Sequence, residues 1–269
     1  MRRELMDMRE ALAKGPQLGF GIMWPTSGVI ERIGPDWDWI WLDGQHGQLD
    51  YRDVLAGVRA ANLVDRPTVV RVPGHEPGYI GKTLDTGCEA VMVPVIDTPE
   101  QAKAAVEASR FPPLGSRSYG ARRAVDLFGR GYSHQERTQP LLVCQIETQT
   151  GVENADAIAA VQGVDVLFFG PDDMAMRQGL AMDKPRPKGC FDKALKTVAD
   201  AAKRHGKFAG GVFATPESLN EAVQLGYRLI VVGADASLLP AASAEKAQTM
   251  RNALGGQASK QAGAAGSPY

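Results

Sequence analysis

The stretch "WIWLDGQHG", residues 39 to 47, runs apolar and then places Asp43, Gln45 and His46 beside two glycines. An acid and a histidine there have two readings. One is a hydrogen-bonded structural turn; the other is a general base with its orienter, since histidine exchanges its proton near neutral pH. Three further apolar runs end in comparable chemistry. "TVVRVP" carries Arg71, a permanently protonated fork for an anionic oxygen. "LLVCQIE" ends in Gln145 and Glu147, and "VDVLFFG" leads into Gly170, Pro171, Asp172 and Asp173. Glu147 and Asp173 would suit a hard divalent cation such as Mg or Mn, which accepts few protein oxygens and keeps positions for water and substrate. The competing reading is a pair of solvated helix caps, which fits Asp172 better than Glu147. His75, His134 and His205 read as ordinary loop or helix-surface residues.

These residues are far apart in sequence, so their convergence depends on the elements that carry them. Eight apolar, β-branched runs recur along the chain: 18–24, 37–43, 68–73, 90–96, 141–147, 164–170, 208–214 and 228–234. Near-continuous hydrophobicity of this kind marks parallel strands buried on both faces. Helical spacing fills 51–62, 98–110, 151–162, 191–206 and 215–226, in places with Thr-Pro starts or glycine stops. Eight alternations predict a single-domain (β/α)8 TIM barrel over residues 1–255, with a doubly wound open sheet as the weaker alternative. A barrel gathers the C-terminal ends of its strands into one rim, and the polar residues above all fall there. The connections 111–138 and 171–189 are long for a compact domain. The first reads as a solvated flap or as a lid over the site. Residues 256–269 are small, polar and glycine-rich, and are expected to be disordered.

Composition narrows the function. With 44% apolar and 23% charged residues and a net charge of -1, the chain is ordinary globular material without the basic footprint of a nucleic-acid or membrane-surface binder. Cys88, Cys144 and Cys190 are too scattered for a disulfide framework, which fits the cytoplasm. The first residues, "MRRELMDMREALAKG", form a charged amphipathic stretch rather than a signal sequence, and no apolar run is long enough to span a bilayer.

The pieces "DWIWLDGQHG", "VVRVP", "LDTGCEAVMVPVIDTPEQA", "RFPPLGSRSYG", "CQIET" and "FFGPDDMA" resemble, in order and spacing, the HpcH/HpaI aldolases. The resemblance runs from "GPQLGF" to about "GADASLL". It implies a class II aldolase that cleaves or forms 4-hydroxy-2-oxo acids through a pyruvate enolate and an aldehyde, with Mg, Mn or Co as cofactor. It also implies roles. His46 would be the base, with Asp43 or Asp85 to orient it, the latter across a subunit interface. Arg71 would stabilise the transition state, and Glu147 and Asp173 would hold the metal. Gln145, Gly170, Pro171, Asp172 and Asp173 would contact the substrate. The family fold is a barrel whose last helix packs on a neighbour in a homo-oligomer, commonly a hexamer. Members usually have Glu at Gln45 and a small residue at Asp172; both departures bear on the substrate rather than the reaction class. An oxaloacetate decarboxylase, a macrophomate-synthase-like carbon-bond-forming enzyme and a non-catalytic metal- or pyruvate-binding barrel are the alternatives.

Overall fold

The computed structural model describes residues 7–135 and 139–254. The apolar runs form β1 (Gln17–Ile22), β2 (Trp39–Asp43), β3 (Thr68–Arg71), β4 (Ala90–Val93), β5 (Leu141–Ile146), β6 (Val166–Phe169), β7 (Phe208–Val212) and β8 (Tyr227–Ala234). They pair in sequence order, all parallel, and β8 returns to β1 to close a barrel. The expected fold is therefore present, with strand ends shifted by a few residues. Helix α1 (Met8–Lys14) precedes the barrel, and α2 (Ser27–Ile33), α3 (Tyr51–Leu63), α4 (Pro77–Leu84) and α5 (Pro99–Ser109) follow the first four strands. Then come α6 (Arg122–Phe128) before β5, α7 (Gln149–Glu153) and α8 (Ala155–Ala159) after it, and α9 (Pro171–Arg177) and α10 (Asp192–Arg204) after β6. Helices α11 (Pro216–Leu225) and α12 (Asp235–Ala253) complete the chain. The Thr-Pro starts act as read: Thr98 and Thr215 accept backbone N–H bonds at the heads of α5 and α11.

Strand alternation decides what faces the barrel axis. Trp39, Trp41, Val69, Met92, Val143, Phe168 and Leu229 fill the interior, while Ile40, Leu42, Val70 and Cys144 pack outward beneath the helices. Two residues beyond Trp41 on the same face is Asp43, two beyond Val69 is Arg71, and two beyond Val143 is Gln145. The polar rim is thus the next layer of the apolar core. Packing in that core is close enough to require glycine: a Cβ on Gly19 would lie 2.1 Å from the Trp39 ring.

Four segments differ from expectation. The amphipathic N-terminal stretch is not merely a charged face. Asp7 caps α1, and Met8 and Leu12 are buried with the barrel-interior residues, so this helix plugs the N-terminal end. The helical pattern over 151–162 breaks at Asn154, whose amide donates to Asp97 O at 2.8 Å, giving α7 and α8. The connection 171–189 opens with α9 rather than loop. Of the segment 111–138, the described residues 111–135 are not a lid over this chain's own rim. Helix α5 has already returned the chain to the N-terminal end of the barrel, and there Arg123 donates to Thr86 O (2.9 Å) and Asn62 Oδ1 (2.7 Å) near the ends of α4 and α3. The tail 256–269 lies outside the described residues. Among the described residues, no helix is long and apolar enough to cross a membrane.

Candidate active site

At the C-terminal rim, β2, β3 and β5 join their polar ends into one hydrogen-bonded chain. Asp43 and Arg71 are register partners on adjacent strands. Arg71 donates from Nε to Asp43 Oδ1 at 2.9 Å and from Nη2 to Asp43 Oδ2 at 2.5 Å. This two-point pairing fixes the plane of the guanidinium. Both partners are buried, and the Arg71 guanidinium also lies over the Trp41 ring, 4.8 Å from its centroid. Arg71 Nη1 makes a long contact of 3.4 Å with Gln145 Oε1, and Gln145 Nε2 donates to Glu147 Oε2 at 2.5 Å. The Val95 N–H, from the loop after β4, donates to Glu147 Oε1 at 2.8 Å.

Glu147 is only 2% exposed. Burial pushes its carboxyl up to about 7; the Val95 amide opposes that rise, the charge of Asp173 adds to it, and Arg71 and Gln145 oppose it further. Asp173 is half-buried in the first turn of α9. Gly170, just ahead of that helix, is a matter of space: a Cβ there would sit 2.6 Å from Glu147 Oε2 and 2.8 Å from Gln145 Nε2. The donor set fits a hard divalent cation. It consists of two carboxylates, one of them buried with a raised pKa and so favouring a positive neighbour. Among the described residues no group of three or more His, Cys, Asp or Glu could hold a metal; a cation at this pair of carboxylates would take the rest of its shell from water and substrate.

His46 is exposed on the turn after β2, with its backbone N–H held by Asp43 Oδ1 at 3.3 Å. Asp43 therefore shapes the turn through the main chain of Gln45 and His46, and its carboxylate is committed to Arg71 rather than to the His46 ring. Gln45 Oε1 is buried without a partner among the described residues. Asp172 turns away from Glu147 and pairs with Arg186 from the loop after α9. Asp85 ends α4 at the opposite end of the barrel, paired with Arg117 at 3.2 Å, so one chain does not bring it to His46. Two contributors escaped the reading of the sequence. Val95 acts through its backbone N–H, which no residue type signals. His75 donates to Pro94 O at 2.6 Å beside the site and is not an ordinary surface histidine. Trp41, under Arg71, was foreseeable from strand alternation alone.

Comparisons with known proteins identify what the chain is similar to. A family model described as HpcH/HpaI aldolase/citrate lyase matches residues 31–242. The chain is 37% identical over 242 residues to a 4-hydroxy-2-oxovalerate aldolase of Novosphingobium aromaticivorans, covering 87% of this chain and 90% of that protein. It is 32% identical over 216 residues to a 5-keto-4-deoxy-D-glucarate aldolase of Shigella boydii, covering 80% of this chain and 83% of that one. Among solved structures, macrophomate synthase superposes with a TM-score of 0.81 at 25% identity, covering 94% of this chain and 93% of the other.

Proposed function

The chain belongs to the HpcH/HpaI aldolase/citrate lyase family, and on that premise we propose that it is a class II aldolase acting on 4-hydroxy-2-oxo acids with Glu147 and Asp173 as its metal ligands. The observation that carries the proposal is the continuous chain from Asp43 through Arg71 and Gln145 to Glu147, with Asp173 beside it, at the rim where barrel enzymes do their chemistry. A bound Mg, Mn or Co ion supplies Lewis-acid stabilisation of the enolate charge that develops as the C3–C4 bond breaks. The protein's own residues do the remainder. His46, at the mouth, removes the C4 hydroxyl proton; the C3–C4 electron pair moves toward the C2 oxo group, the aldehyde departs, and a proton returned to C3 gives pyruvate. Arg71, with its orientation fixed by Asp43, offers Nη1 to the oxygen that gains charge. Gln145 holds Glu147 Oε2 on one side, and Gly170 leaves the space in which that carboxylate sits.

Asp85 and residues 111–135 lie at the far end of their own barrel, so they reach a rim only in another copy of the chain. We therefore read the protein as a homo-oligomer, with a hexamer as the family resemblance suggests. Helix α12 supports this: Leu238, Leu239 and Met250 on it and Leu254 just after it are exposed, and Asp235 is its one buried residue. The three free cysteines fit the cytoplasm.

The metal assignment is tested by chelation. EDTA is expected to abolish retro-aldol cleavage, and Mg, Mn or Co to restore it; borohydride added with pyruvate should leave the enzyme active. Because a cation must displace the proton that Glu147 holds up to about pH 7, Mn affinity should weaken as pH falls below about 7. Full activity after exhaustive chelation would refute the assignment.

A further inference from the structure

The loop after β4 contains a backbone outlier at the edge of the site. Val95 has φ +51°, in the left-handed region, where a β-branched side chain crowds its own main chain. Conformations of this kind persist where the surroundings over-determine them, and they concentrate at functional positions. Here both ends of one peptide unit are gripped. The Pro94–Val95 bond is trans, so its carbonyl and its N–H point in opposite directions. His75 Nε2 donates to the carbonyl at 2.6 Å, and the N–H donates to Glu147 Oε1 at 2.8 Å. Ile96 N–H donates to Gln145 O at 3.0 Å and pins the next residue to β5.

The sequence of contacts is thus His75, the Pro94–Val95 peptide, then Glu147. A bond to the carbonyl polarises the N–H at the other end of the same peptide, so the donation from His75 strengthens the donation to Glu147. With Val95 on Oε1 and Gln145 on Oε2, each carboxylate oxygen retains a lone pair, and the plane of the carboxylate is set. The acceptor role of Pro94 O requires that His75 carry its proton on Nε2. Partners of this outer kind commonly decide how well a ligand meets its metal.

We propose that His75 is a positioning residue for metal binding: it holds the strained Pro94–Val95 peptide so that the Val95 amide aims the Glu147 carboxylate. The inference rests on Glu147 being a metal ligand, as proposed above.

The test is Mn binding to the metal-free protein, followed by the electron paramagnetic resonance of free Mn, in four chains: the parent, His75→Ala, His75→Gln and Glu147→Gln. His75→Ala is expected to weaken Mn binding by about 10- to 100-fold, the usual effect of removing such a partner. His75→Gln keeps an N–H donor at a similar reach and should recover most of the loss, which a role in bulk packing would not produce. Parent-like affinity in His75→Ala, or no recovery in His75→Gln, would overturn the proposal. Parent-like affinity in Glu147→Gln would instead overturn the metal assignment beneath it, so the two failures are told apart.

Discussion

His46 is exposed, whereas Asp43, Arg71, Gln145 and Glu147 on the same rim are buried. That contrast separates two kinds of substitution. Removing Arg71 would strand the buried Asp43 carboxylate without its partner, at a cost of roughly 3–5 kcal/mol, so lost activity there would be mixed with lost folding. His46→Ala disturbs no buried group. It should lower retro-aldol turnover by about 10² to 10⁴, the range for losing a general base, without changing the melting temperature. Decarboxylation of oxaloacetate, which has no C4 hydroxyl proton to remove, should fall much less; equal losses in both assays would take His46 out of the C4 step. The side chains at this rim were legible because a run of alternating strand residues shows where its polar end points. His75 was not, since its partner is a carbonyl oxygen, which every residue possesses. Asp43 was placed correctly on the rim, but the sequence could not say that register with Arg71 would claim its carboxylate.

At the scale of elements, the strands were the readable part because burial on both faces leaves dense apolar runs. The helices were less so. Pro77, Gly78 and Gly81 thin the apolar spacing of α4, and Asn154 breaks a pattern that looked continuous over 151–162. Of the two readings of 111–138, flap or lid, the lid fails over the described residues 111–135 for a simpler reason: a segment that follows a helix and precedes a strand lies at the N-terminal end of the barrel, however its residues are composed. The same end holds α1, whose Leu12 is fully buried among barrel-interior residues. Leu12→Ala is expected to cost about 2–5 kcal/mol by leaving a cavity. Urea denaturation measures it, and turnover by the folded protein at moderate temperature should be unchanged, because the plug and the rim are at opposite ends. A loss of turnover as large as the loss of stability would show that the floor of the barrel shapes the site.

For the molecule as a whole, the separation of Asp85 from His46 has a direct test. If Asp85 serves a neighbouring rim, His46→Ala and Asp85→Ala chains, each impaired alone, should regain activity when dissociated together and reassembled. Each mixed oligomer can then contain a site with an intact histidine from one chain and an intact aspartate from the next. No recovery in verified mixed oligomers would place Asp85 outside the reaction. The closed floor bears on the order of events as well. With Met8 and Leu12 shutting the N-terminal end and Trp39 and Phe168 filling the interior above them, the rim is a blind mouth: substrate enters, and both products leave, by the same side. On the proposed reading the pyruvate half lies deeper, against buried Arg71 and Glu147, and the aldehyde half lies outside it, near exposed His46. The aldehyde therefore departs first and pyruvate second, and in the synthetic direction pyruvate binds first. Depth within a one-ended barrel thus becomes kinetic sequence.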